Sequence, residues 1–260
     1  MVNFASSEIM SWVGNFMWPL IRIAALVGAA PVFGARTVPT TAKLIFAVVL
    51  TMLVVPVLPP MPSVDPISGE ALLIVINQVL IGAAMGLALQ LVFAMFVVGG
   101  QIMAFQMGLG FASMVDPSSG TQVPVVSQFY VILLTLVFLA LDGHLVLIDV
   151  IVDSFRTLPI GTQGLTRDGF WALASWGGNM YAGAVQIALP AIAALLMINL
   201  TFGVVTRSAP QFNIFAIGFP ITMVAGFFIM MVTLPAVLPQ ITRQFAAVFE
   251  MMRWLVGGAS

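Results

Sequence analysis

Two uncharged runs, each long enough to cross a bilayer, meet at a single arginine. Gly169 to Thr206 carries no charge, Ser208 to Thr242 carries none, and Arg207 stands alone between them. A charged side chain at the centre of a membrane-crossing helix costs about 2.5–3.5 kcal/mol on insertion scales. The cation is therefore expected in a turn between two apolar helices, where Pro210 and Asn213 supply turn chemistry. Asn199-Leu200-Thr201-Phe202-Gly203, Arg207-Ser208-Ala209-Pro210-Gln211-Phe212-Asn213 and Phe215-Ala216-Ile217-Gly218-Phe219-Pro220 read together as a helical hairpin with a polar tip.

The rest of the chain agrees with this constraint. Apolar residues make up 61% of the sequence and charged ones 7%, whereas a soluble domain carries about 25% charged residues. The expected fold class is all-α, of integral-membrane type, built from kinked helical hairpins. A net charge of −1 leaves no electrostatic footprint for nucleic acid. The absence of cysteine excludes disulfides, thiolate metal sites and thiol nucleophiles, and His144 is the only histidine. No GxxxxGK[ST], HExxH or GxSxG occurs, so neither enzyme chemistry nor a cofactor or metal is expected. Glu8 precedes every basic residue and Arg22 lies inside the first apolar run, unlike a secretory signal, so insertion without cleavage is expected.

Along the chain, Met10 to Ala35 is apolar and holds Pro19, Arg22 and Pro31. Leu44 to Leu58 reads as short for a span, which needs about twenty residues. Ala71 to Val115 is uncharged, enough for one long helix and a second, broken element. Val123 to Leu141 is a further span-length run, followed by a helical stretch from Leu145 to Phe155. Arg243 to Trp254 reads as a final amphipathic helix, with Ile241, Phe245, Val248, Phe249 and Met252 on one face. Pro190, Pro220, Pro235 and Pro239 fall in or at the ends of helices, so kinks are expected. Such breaks are tolerated at membrane depth where neighbouring protein or a water-filled cavity satisfies the freed backbone groups, which points to burial against partners. Arg36 and Lys43 suggest a cytoplasmic first loop, but later loops mix signs and no orientation is assigned. Trp12, Trp18, Trp171, Trp176 and Trp254 sit near predicted ends, as an interfacial belt would place them. Gly82-Ala83-Ala84-Met85-Gly86 has small-xxx-small spacing, read either as ordinary helix packing or as a partner-docking face.

Two constellations are candidates for function. The first is Gln106-Met107-Gly108-Leu109-Gly110-Phe111-Ala112-Ser113-Met114-Val115-Asp116-Pro117. Gly99-Gly100, Gly108 and Gly110 each cost a helix about 1 kcal/mol relative to alanine, and Asp116-Pro117 ends any helical run. The result is an apolar, glycine-hinged loop emerging from a membrane segment, either a re-entrant packing loop or a movable plug in a pore. Met95, Met103, Met107 and Met114 cluster around it, as core filler or as a soft seal, since thioether chains deform to fill irregular gaps. The second is Asp142-Gly143-His144 with Asp149 and Asp153, whose carboxylates share one helical face if helix runs through Gly143. It is either an intramembrane proton site or a solvated, partner-facing edge, and Arg156 with Leu158-Pro159 favours the edge.

With these residues assembled, the sequence resembles the FliR family, the export-gate subunit of flagellar type III secretion, homologous to the injectisome SctT family. The likeness runs through Arg22-Ile23, Pro31-Val32-Phe33, Val38-Pro39 and Lys43, then Gly108-Leu109-Gly110-Phe111-Ala112 to Asp116-Pro117. It continues in Asp142-Gly143-His144, Asp153-Ser154-Phe155 and Leu158-Pro159, and in the late block Asn199-Leu200, Gly203, Arg207, Pro210-Gln211, Asn213, Phe215 and Gly218-Phe219-Pro220. Leu145 departs from the pattern, because relatives often carry a second histidine there. The resemblance implies a single copy assembled with several copies of two smaller membrane proteins, FliP-like and FliQ-like, in a hetero-oligomeric helical gate partly raised out of the bilayer plane. It also implies a FliB-type export switch protein, basal-body rings and unfolded protein substrates as partners, at the bacterial inner membrane. Residues 1–176 would resemble the FliP-like partner and 177–260 the FliQ-like one. Gly108 to Pro124 would be the channel plug, Met103 and Met107 its soft seal, and Arg207, Pro210, Gln211, Asn213, Phe215, Gly218 and Pro220 tip contacts to partners. A proton-coupled small-molecule transporter using Asp142, His144 and Asp149 is the reading from another class.

Overall fold

A computed structural model describes residues 6–35, 37–62, 64–65, 68–109, 124–208 and 214–257. Among these residues the regular elements are helical and no strand occurs. They are α1 (Ser6–Ala29), α2 (Thr40–Val54) extended by a 3-10 turn (Val55–Val57), α3 (Gly69–Gln106), α4 (Val125–Ala140), α5 (Gly143–Thr157), α6 (Arg167–Ser208) and α7 (Ile214–Gly257). Among the described residues four helical stretches are long and apolar enough to cross a membrane, Thr40–Val57, Gly69–Gln106, Arg167–Ser208 and Gly218–Gly257, and α4 with α5, bent by 67°, passes as a fifth if taken as one span. The all-α, membrane-type class expected from composition is the class observed.

Several boundaries differ from those expected. The second apolar run is not too short, because the 3-10 turn extends α2 to an 18-residue stretch. Helix α3 runs unbroken for 38 residues through Gly99-Gly100, so tertiary contact overrides the poor helix propensity of glycine. A Cβ at Gly100 would stand 2.8 Å from the Ser127 Cα, and one at Gly99 would stand 3.1 Å from the Ala184 carbonyl oxygen. Arg207 lies in the last turn of α6, still in helix, where a cation complements the negative end of the helix dipole. Ile241, Phe245, Val248, Phe249 and Met252 are buried along one face as expected, but they belong to the continuous 44-residue α7 and form no separate helix. Trp18 is fully buried and not interfacial.

The chain divides into two compact units that interleave in sequence: residues 1–91, 139–176 and 245–260 form one, and residues 92–138 and 177–244 the other. This is a division by packing, different in kind from the expected likeness of 1–176 and 177–260 to two partner proteins. Within the first unit, α1 and α3 approach so closely that side chains at Gly82 and Gly86 are sterically forbidden. A Cβ at Gly82 would strike the Arg22 carbonyl oxygen and stand 2.9 Å from Ala25 Cβ, and one at Gly86 would stand 2.9 Å from the Ala30 nitrogen. The small-xxx-small segment is therefore an internal packing stripe.

Beside that stripe lies Arg22, fully buried. Its Nε donates to Gln78 Oε1 at 2.7 Å, Nη1 to the Ser154 carbonyl at 2.8 Å and to Ser154 Oγ at 3.1 Å, and Nη2 to the Leu158 carbonyl at 2.9 Å. Its guanidinium carbon stands 4.3 Å from the Phe155 ring centroid. These partners are neutral oxygens and a π-face at the C-terminal end of α5, where orphan carbonyls and the helix dipole favour a cation. Arg22 thus ties α1, α3 and α5 together at one buried point.

Replacing Arg22 by methionine keeps the bulk of the stem, takes the Arg22 donor from the Gln78 and Leu158 oxygens, and is expected to cost about 3 kcal/mol or more. Thermal unfolding of the purified chain in detergent checks this, and an unshifted midpoint would contradict the assigned role. Arg22→Lys, which has no planar fork, is expected to recover only a fraction of the loss.

Candidate functional site

The second unit positions the root of the glycine-hinged loop, and it does so by ending α3 in a specific way. Gly108 has φ +81°, the left-handed conformation in which L side chains are strained. The Leu109 amide donates to the Ala104 carbonyl at 2.9 Å and the Gly108 amide to the Phe105 carbonyl at 3.0 Å. That pair of 6→1 and 5→2 bonds around a left-handed glycine is a Schellman cap. It satisfies two terminal carbonyls of α3 and turns the chain out of the helix at Gly108.

The cap rests on α7. A Cβ added to Gly108 would stand 2.9 Å from Phe219 Cδ2, so glycine is required by space as well as by φ. One turn further along α7, the Thr222 hydroxyl donates to the Phe219 carbonyl at 3.0 Å and stands 3.5 Å from the Met107 carbonyl oxygen. At Gly226 the missing side chain is replaced by Met107, whose Sδ and Cε would lie 2.8 and 2.9 Å from a Cβ there. Phe219, Thr222 and Gly226 are spaced by three and four, so they share one face of α7. Two sequence motifs more than a hundred residues apart, Met107-Gly108 and the Gly218-Phe219-Pro220 block, thereby meet.

The surroundings are apolar and sulfur-rich. Met95, Met103 and Met107 are buried, Met95 fills the space over Gly183, and Tyr130 Oη stands 3.9 Å from Met103 Sδ while its ring lies 6.5 Å from that of Phe96. Ser127 Oγ donates to the Val97 carbonyl at 2.9 Å beside Gly100. Nearby, an apolar cavity of about 290 Å³ is lined by Val125, Phe129, Phe227, Met230 and Met231 among others. No His, Cys, Asp or Glu is among these groups. The arrangement can anchor, seal and yield mechanically.

Of the expected loop residues, Gly108 and Leu109 are placed at this cap, while Gly110, Phe111, Ala112, Ser113, Met114, Val115, Asp116 and Pro117 lie outside the described residues. At the expected hairpin tip, Arg207 is exposed, and Phe215, Gly218 and Pro220 lie in the first two turns of α7. Pro210, Gln211 and Asn213 lie outside the described residues. Sequence reading missed Thr222, Gly226 and Tyr130. A glycine spaced four from a threonine just after the late block was the available signal for the first two.

The acidic constellation is arranged differently from the shared helical face considered for it. Asp142 has φ 54° and is the N-cap of α5, so the helix that carries Asp149 and Asp153 starts at Gly143 and does not include Asp142. Its carbonyl accepts from the Leu145 amide at 2.8 Å, opening the new helix. Asp149 is 70% exposed and pairs with Arg253, itself 51% exposed, at 3.4 Å. Ion pairs so open to solvent contribute about 0–1 kcal/mol. His144 Nδ1 is buried without a partner, and no hydrogen bond joins Asp142, His144 and Asp149. Among the described residues no cluster of three His, Cys, Asp or Glu could hold a metal.

The fold defines a helical protein of membrane type. The profile described as "Bacterial export proteins, family 1" matches residues 13–248. The chain is 40% identical over 252 residues to the flagellar biosynthetic protein FliR of Pectobacterium carotovorum, covering 97% of this chain and 96% of that protein. It is 38% identical to FliR of Escherichia coli K12 over the same shares, and 28% identical to FliR of Bacillus subtilis over 96% of this chain and 97% of that one. The chain belongs to the bacterial export proteins, family 1. Those relatives are named for flagellar biosynthesis and not for a catalysed reaction.

The close approach at Gly226 predicts a cross-link in a chain that has no cysteine of its own. Met107→Cys combined with Gly226→Cys is expected to form an intramolecular disulfide under mild oxidant, detected by mass. Met107→Cys with Val224→Cys, whose second position is 70% exposed on α7, is expected not to. Equal cross-linking of both pairs would contradict the packing described.

Proposed function

We propose that this chain is a core subunit of the flagellar type III protein export gate, helping to form and close the channel through which unfolded flagellar proteins pass. The observation that carries the proposal is the near-full-length likeness to flagellar biosynthetic proteins at 38–40% identity. Because those relatives are flagellar, the flagellar system is preferred over the injectisome.

The geometry supports a gating role. A capped helix end, locked onto α7 by Phe219, Thr222 and Gly226, gives the loop of residues 108–124 a fixed root from which to act as a channel plug. Met103 and Met107 beside that root serve as the deformable seal. Assembly with partners is supported by the lengths of the helices. At 1.5 Å per residue, α3, α6 and α7 extend about 57, 63 and 66 Å, roughly twice the hydrocarbon thickness of a bilayer. Pro190, Pro220, Pro235 and Pro239 all lie on exposed sides of α6 and α7, where lipid could not satisfy the backbone groups they free.

In this reading two smaller membrane proteins, FliP-like and FliQ-like, cover those faces. Residues 1–176 take the FliP-like role and 177–260 the FliQ-like one, with a FliB-type export switch and basal-body rings around the assembly at the inner membrane. Arg207, Pro210, Gln211, Asn213, Phe215, Gly218 and Pro220 are contacts to these partners. The subunit hydrolyses nothing itself. The solvated Asp149–Arg253 pair and the unlinked Asp142 and His144 speak for an edge role of the acidic constellation over a proton pathway.

Removing Ala112, Ser113 and Met114 from the chromosomal copy shortens the plug without touching the cap. Ion leakage across the host membrane is expected to rise, or secretion of flagellar proteins to change, at normal abundance of the chain. Unchanged leakage together with unchanged secretion would overturn the plug assignment.

A further inference from the structure

The first unit holds a groove between α1 and the start of α2 that the export reading does not use. It is lined by Ala24, Val27, Gly28, Thr40, Lys43 and Leu44, has a volume of about 260 Å³, and is apolar except for Thr40 and Lys43. A Cβ at Gly28 would meet no atom within 4 Å, so the wall is open where another residue would fill it. Next to the groove the α1–α2 connection is braced by Phe33 stacked on Phe46, with ring centroids 5.0 Å apart and planes inclined by 12°. The groove is thus shaped by a fixed turn.

Lys43 sets the chemistry of its occupant. Its Nζ donates to the Gly34 carbonyl at 2.8 Å, which fixes the ammonium at the groove and uses one of its three N–H donors. No carboxylate lines the groove. Between Glu8 and Asp65 the sequence carries Arg22, Arg36 and Lys43 and no acidic residue. A cation with spare donors beside an apolar channel matches an amphiphile with a negative head. A free anion would leave the channel unfilled, and an apolar helix would leave the ammonium unmatched. A zwitterionic head would bring a second cation with no carboxylate to meet it.

We propose that this groove binds an anionic phospholipid, its phosphate accepting from the Lys43 ammonium and one acyl chain lying along Ala24, Val27 and Gly28. The site is independent of the gate assignment.

The test uses the full-length chain purified in mild detergent and exchanged into defined mixtures of phosphatidylglycerol and phosphatidylcholine. Retained lipid is counted by native mass spectrometry. Wild type is expected to hold phosphatidylglycerol about fivefold in preference, the factor one basic group near an anionic head supplies. Lys43→Gln is expected to abolish that preference, and Lys43→Arg to keep it. Gly28→Leu fills the groove and is expected to lose the retained lipid at an unchanged melting temperature. Ala24→Leu, one turn earlier, is the second filling variant should the first fail to fold. Equal retention of the two lipids by wild type would overturn the proposal, as would an unaltered preference in Lys43→Gln. Full retention in a folded groove-filling variant would show binding by head-group charge alone and would equally overturn it.

Discussion

Close approach of helix backbones through glycine is the constraint on which the rest of this structure depends. In lipid there is no hydrophobic drive bringing two apolar helices together, so association relies on van der Waals contact at short range. Helix α3 makes such contacts along its whole length. Gly82 and Gly86 admit α1, Gly99 and Gly100 admit α6 and α4, and Met107 at its end fills the space over Gly226 of α7. A larger residue at Gly82, Gly86 or Gly100 would meet neighbouring backbone and push the packed helices apart. The polar ties, Arg22 to the end of α5 and Ser127 to the Val97 carbonyl, sit beside these contacts and fix register more than they add attraction.

The same packing fixes the end of α3. The Schellman cap at Gly108, pressed against Phe219, satisfies two terminal carbonyls of α3, and under the proposed function it is the root from which the plug loop acts. Around it the structure uses methionine and aromatic side chains with few hydrogen bonds, so contacts can be remade with little directional penalty. Asp149, Arg207 and Arg253 are exposed, and Arg22 is the buried exception. A conduit for unfolded chains of varied sequence benefits from a neutral, compliant lining.

Much of this was legible in the sequence, and the remainder was hidden for identifiable reasons. Uncharged runs and composition were enough for an all-α membrane protein, because hydrocarbon leaves few alternatives. The apolar face of the last helix was readable from its spacing, and a turn out of α3 from the glycine at 108. Propensity misled at Gly99-Gly100, where glycine marks contact and not a break, since only the neighbours Ser127 and Ala184 reveal the difference. The spacing of Asp142 and Asp149 left a shared face open, and only the left-handed backbone at Asp142 decides against it. Arg22 was visible as an oddity in an apolar run, yet its partners Gln78, Ser154 and Leu158 lie 56 to 136 residues away and carry no charge to advertise them.

Helices α3, α6 and α7, about twice as long as a bilayer is thick, and the exposed prolines of α6 and α7 are the structural support for the proposed assembly with other proteins. The central claim, that this is one subunit of a multi-protein export gate, is tested most directly by its native mass. The chain would be tagged at its own locus and extracted from its host in mild detergent. The account predicts a large complex containing two other small membrane proteins in fixed ratio. A lone monomer or homodimer, with those partners demonstrably expressed, would contradict it.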